Sequence, residues 1–160
     1  MKTLLAHKIS SMTPSELLTA IYTDTLTGMW NRRSFDESPE TKYIAIVDLD
    51  SLKWVNDNAG HRAGDVLLVN VARTLQKLFG DLAFRLSGDE FVVRSNSRTN
   101  LHNKLNTNDR IFSYGVGKTL DQADVALTLD KNNRLDDGTR AGRGEKPTYE
   151  GTLTMMTIPE

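Results

Sequence analysis

"LAFRLSGDEFVVR", residues 82–94, places two acids between two short apolar flanks. "LAFRL" and "FVVR" read as strands, and Gly88-Asp89 falls where the central pair of a two-residue hairpin would sit. Gly comes first, as a type II′ turn prefers. Acids are poor strand residues, and the turn sets Asp89 and Glu90 at the end of the sheet.

The partner strand lies upstream. "YIAIV", 43–47, is a continuous apolar run, the pattern of a strand buried on both faces. Asp48 and Asp50 follow it two residues apart, so they point to one face. Each acid pair alone is ordinary turn chemistry. If the hairpin lies beside strand 43–47, however, three or four carboxylates converge. Such a cluster calls for a hard divalent cation. Mg²⁺ takes one or two carboxylates and completes its shell with water and substrate phosphate. Two such ions would clamp an in-line displacement at phosphorus. Lys53, just after the strand, is placed to neutralise phosphate charge.

The other elements follow from pattern. Thr13, Pro14 and Glu16 open a helix over 14–22 with capping-box spacing. Leu68, Val71, Leu75 and Leu78 make an amphipathic helix of 64–79. The segment between, "DLDSLKWVNDNAGHRAGD" (48–65), reads as a polar loop. Residues 95–110 leave room for one short helix, 111–116 form a strand and 120–133 a helix. Apolar periodicity ends at Arg134, so 135–160 is expected to be a tail or peripheral appendage, with "TLTMMTI" (152–158) as a possible edge strand. There is no internal repeat. The order suits an α+β fold with helices covering one face of a mainly antiparallel sheet.

Composition narrows the function. The 160 residues carry a net charge of −1 and no cysteine. Balanced charge gives no field for nucleic acid or an anionic membrane, and no run approaches the length of a membrane span. Without cysteine there is neither disulfide nor thiolate chemistry, in keeping with a cytoplasmic protein. "GVGKT" (115–119) lacks the leading glycine of a phosphate loop, having Phe112 in its place, and reads as a strand entering a helix. His7, His61 and His102 have no ligand spacing. Trp30 and Trp54 read as core or interface anchors, Arg32 and Arg33 as structural or dimer contacts.

Four segments together resemble the GGDEF family, the diguanylate cyclases. "DTLTGMWNRRSF" is similar to the family's D-x-L-T-G-L-x-N-R-R, and "DLDSLKWVNDNAGHRAGD" to D-I-D-x-F-K-x-I-N-D-x-x-G-H-x-x-G-D. "FRLSGDEF" is similar to x-R-x-G-G-D-E-F, and "ADVALTLDK" to A-D-x-A-L-Y-x-A-K. The likeness runs from about Tyr22 to Lys131. It implies a lead-in over 1–21, a catalytic domain over 22–134, and a palm-like (ferredoxin-like) fold as in nucleotidyl cyclases. It also implies condensation of two GTP into cyclic di-GMP and pyrophosphate by a facing pair of protomers. Carried over by residue, Asp48 and Asp89 would bind Mg²⁺ or Mn²⁺ through carboxylates and Leu49 through its carbonyl. Glu90 would support a second ion and the attacking ribose 3′-hydroxyl. Lys53 and Lys131 would contact phosphates, and Asn56 and Asp65 the guanine edge.

The chain departs from the pattern in four places. Ser87 replaces the first glycine of the signature. Leu78 stands where the inhibitory product-binding R-x-x-D motif has Arg, leaving only Asp81. The segments 36–42 and 92–112 are short. Thr128, Asp130 and Arg134 alter the last motif. The expectation is a stand-alone, minimal cyclase that dimerises weakly. The alternatives are a degenerate member that binds GTP or a protein partner without catalysis, and a related nucleotidyl cyclase with another product.

Overall fold

The computed structural model describes residues 2–107 and 111–147. Four strands build one antiparallel sheet: β1 Tyr43–Leu49, β2 Ala83–Ser87, β3 Glu90–Ser95 and β4 Phe112–Gly117. Their spatial order is β2-β3-β1-β4. β1 is therefore central, and residues alternate across it. Ala45, Val47 and Leu49 face the main core with Phe91 and Val93 of β3, while Ile46 faces a second core with Val92 and Phe84.

Helices cover both faces, not one as the element order suggested. α5 (His61–Phe79) lays Leu67, Leu68, Val71, Leu75 and Phe79 on the main core, joined by Leu101 and Leu105 of α6 (Arg98–Leu105). On the other face, Phe35 of α3 (Arg32–Glu37) and Ala123 and Leu127 of α7 (Leu120–Asp136) close the second core. An unbroken apolar strand such as 43–47 leaves no face for water, which is why both must be covered. The mainly antiparallel, helix-covered α+β architecture stands.

α7 comes unusually close to the sheet. A Cβ on Gly115 would lie 2.0 Å from the Leu127 nitrogen and 2.1 Å from the Ala123 carbonyl. The glycines of "GVGKT" thus serve helix–strand packing, and Thr119 caps α7 by accepting from the Gln122 N–H.

Two readings of the chain change in detail. The polar segment 48–65 is mostly helical: α4 spans Leu52–Ala59, and α5 begins at His61 rather than at 64. α4 packs Leu52, Trp54 and Val55 on the core but fully buries only Val55, and an apolar patch confined to its first turn is too short for periodicity to detect. Leu78 lies at the core margin while Phe79 takes the buried place. At the amino end, α1 (Lys2–Ser10) precedes α2 (Pro14–Tyr22), whose capping box of Thr13 and Glu16 is fully made. The edge strand expected at 152–158 lies outside the described residues.

Candidate active site

The acidic hairpin and the end of β1 meet as a matter of register. β1 pairs with β3 so that Asp48 stands opposite Glu90, and the Leu49 N–H donates to the Asp89 carbonyl at 3.2 Å. Gly88 has φ +38°, whereas Asp89 is not among the residues with positive φ. That sign pattern belongs to a type II′ turn and excludes type I′. Arg85 holds the turn from beneath: its Nη2 and Nε donate to the Gly88 carbonyl at 2.6 and 3.1 Å, and its Nη1 pairs with Asp24 at 2.7 Å. Burial pushes the Asp24 carboxyl up, but hydrogen bonds from Thr27 and Arg85 outweigh it and keep it below the usual aspartate range. The lead-in loop is thereby tied to the signature turn.

The alternation of β1 puts Asp48 and Asp50 on the α7 side, and α7 answers with cations three residues apart. Lys131 Nζ lies 2.7 Å from Asp48. Arg134 Nη1 lies 2.6 Å from Asp50, which also takes Arg140 Nε at 2.7 Å and the Ser113 hydroxyl at 2.9 Å. Asp50 is buried and fully engaged. Asp50 is therefore drawn out of the expected convergence of three or four carboxylates, and among the described residues no group of three acids stands in metal-holding geometry. The physical reason is the basic face of α7, which draws Asp50 into a structural ion pair.

What remains is Asp48, Asp89 and Glu90, close enough to feel one another's charge. Burial raises the Asp48 carboxyl above its ordinary value; Lys131 opposes this, and the charges of Asp89 and Asp50 reinforce it. Burial likewise raises Glu90, with Asp48, Asp124 and Asp89 adding to it against the pull of Arg32. Hard oxygen donors carrying excess negative charge suit Mg²⁺ or Mn²⁺, which need only one or two carboxylates beside phosphate and water.

A carboxyl raised in the fold binds its proton more tightly there than in the unfolded chain. The stability it lends is full at low pH and is lost as pH rises through the folded value. At neutral pH the Glu90 charge is thus a cost, and Glu90→Gln should raise the melting temperature at pH 7. The advantage should close as pH falls below the ordinary glutamate range. Thermal melts from pH 3 to 7 measure this, and an unchanged or lower midpoint at pH 7 counts against it.

A cleft of ≈ 340 Å³ is lined by Asp48, Leu49, Ser51, Lys53, Asp89 and Lys131, with Arg140 and Arg143 from beyond α7; Asn56 and Asp65 are not in its lining. Lys53 is exposed and pairs with Asp57 one turn along α4. Asn56 packs its amide against Gly64, where a Cβ would meet Oδ1 at 2.0 Å, so its neighbour in space is the turn that carries Asp65. Asp65 itself is exposed. Sequence reasoning missed Ser51, which sits in the left-handed region at φ +61° beside the acids, and the arginines of "TRAGRG". Their signal was the Arg-Gly alternation in a stretch read as tail. Trp30 is not core: it is 37% exposed, bridges Thr23 and Phe84 at the β2 edge, and donates to Asp81 at 3.2 Å.

The class of domain is thus a four-stranded antiparallel sheet flanked by helices, with an acidic hairpin in register with the acids of its central strand. Residues 21–113, more than half of the chain, match the family model "Diguanylate cyclase, GGDEF domain", and the chain belongs to that family. It is 39% identical over 97 residues to the diguanylate cyclase DgcP of Escherichia coli (strain K12), covering 52% of this chain and 28% of that protein. It is 27% identical over 150 residues to the diguanylate cyclase DgcS of Shewanella oneidensis, covering 79% of this chain and 50% of that one. The chain thus spans half or less of these relatives. Among solved structures, the diguanylate cyclase SiaD of Pseudomonas aeruginosa, in complex with its activator SiaC, superposes with TM-score 0.59 at 23% identity. That match covers 82% of this chain and 65% of SiaD. A sensory box/GGDEF family protein of Caulobacter crescentus superposes with TM-score 0.55 at 28% identity, over 70% and 99% of the two chains. No helix among the described residues is long and apolar enough to cross a membrane.

Proposed function

We propose that the chain is a diguanylate cyclase that condenses two GTP into cyclic di-GMP with release of pyrophosphate. The observation that carries this is the register of Asp48 against Glu90 beside the Asp89 turn, in a chain of the GGDEF family. Asp48, Asp89 and the Leu49 carbonyl would hold Mg²⁺ or Mn²⁺, with Glu90 supporting a second ion. A bound divalent ion neutralises phosphate charge and acidifies the attacking hydroxyl. In each of two steps a ribose 3′-oxygen bonds to the other nucleotide's α-phosphorus and pyrophosphate leaves. Glu90, one residue past the turn and opposite Asp48, would support the activation of the attacking 3′-hydroxyl. Lys53 and Lys131 would contact phosphates. One chain offers one half-site, so two copies must face each other, and specific activity should rise with protein concentration.

The test is incubation of purified protein with GTP and Mg²⁺ across a concentration series, with mass spectrometry of the products. Cyclic di-GMP and pyrophosphate are expected. GTP binding without product at high protein concentration would favour a degenerate regulatory module instead, a reading to which Ser87 in the signature lends support.

Asn56 and Asp65 would read the base, since a carboxylate accepts from guanine N1–H and N2–H₂ and finds no such donors on adenine. GTP should bind at least about tenfold more tightly than ATP, or ~1.4 kcal/mol. Competition binding checks this, and equal affinities would remove these residues from the assignment.

A further inference from the structure

We infer that Arg143, on the segment after α7, contacts the polyphosphate of the nucleotide; this rests on the GTP-binding reading above. The segment doubles back onto the acid end of the sheet. The Arg140 N–H donates to the Arg134 carbonyl at 2.8 Å, its side chain is pinned on Asp50, and Ala141 is buried. Beyond that anchor the chain makes a tight turn. The Gly142 N–H donates to the Glu145 carboxylate at 2.9 Å and the Glu145 N–H to the Gly142 carbonyl at 3.0 Å, with Gly144 at φ +82°. A Cβ on Gly144 would lie 3.9 Å from the Lys53 side chain, so the turn crosses the start of α4. Arg143 sits within this turn and lines the same cleft as Asp48, Asp89, Lys53 and Lys131.

The charges in that cleft decide its role. Lys53 is paired with Asp57, Lys131 with Asp48 and Arg140 with Asp50. Arg143 is exposed and makes no ion pair among the described residues. A polyphosphate entering beside Asp48 and Asp89 adds negative charge to an acidic place and needs cations. Arg143 meets it without breaking an existing pair, and its planar fork can hold two phosphate oxygens at once.

The experiment compares GTP and GMP binding by calorimetry for the wild type, Arg143→Ala and Arg143→Lys, with thermal melts of each. Arg143→Ala should weaken GTP about tenfold and leave GMP within twofold, Arg143→Lys should fall between, and the melts should coincide because the side chain is exposed. GTP affinity of Arg143→Ala within twofold of the wild type overturns this inference alone. Equal losses for GTP and GMP also overturn it, since the effect is then not on the polyphosphate. A wild type that binds no GTP overturns both this inference and the function proposed above.

Discussion

Replacing Asp48 or Asp89 by alanine is expected to reduce cyclic di-GMP formation by at least roughly 10²-fold, the scale for losing an electrostatic group at a reacting centre. Neither change should unfold the protein. Asp89 is exposed on the turn, and only its backbone carbonyl is used in the sheet. Asp48 is a charge that burial already disfavours, so its removal releases Lys131 without opening the core. Product formation and circular dichroism, measured on the same preparations, separate the two effects. Near-wild-type rates in both variants would mean that the acid end of the sheet is not the reacting centre. Loss of rate together with loss of the fold would mean that the acids are structural.

The second large effect is on stability. Arg134→Met should destabilise the domain by about 3 kcal/mol, because it strips a buried carboxylate of its main partner. Arg134 Nη1 serves Asp50, the Phe112 carbonyl and the Ser113 hydroxyl, and Nη2 reaches the Thr139 carbonyl. Arg140 and the Ser113 hydroxyl would be left to hold Asp50. Asp50→Asn in the Arg134→Met background should recover part of the loss, since a neutral amide needs no counter-charge. Denaturant unfolding of the two single variants and the double variant completes the cycle. Strict additivity would show that the pair is not the unit of stabilisation.

Much of the local structure around these residues was legible in the sequence. The Gly88-Asp89 turn, the buried run 43–47 and the capping box at Thr13 follow from local chemistry: a positive φ at Gly88, a strand with no polar face, a side chain within reach of its own helix end. The role of Asp50 was not legible. Nothing local distinguishes it from Asp48, as both end the same strand on the same face. Their difference comes from α7, about eighty residues away, which sets Lys131 on one and Arg134 on the other.

The sequence by itself determined the class of fold, the acidic hairpin and the family, because turn geometry, strand periodicity and motif spacing are written in neighbouring residues. Only the tertiary structure decided how the two acids at the end of β1 are paired, Asp48 with Lys131 and Asp50 with Arg134 and Arg140. It also brought the residues after α7 back to line the cleft. Both outcomes depend on how closely α7 can approach β4 over Gly115, a contact between segments with no shared local pattern. Packing of that kind is a property of the assembled chain, and no window of sequence contains it.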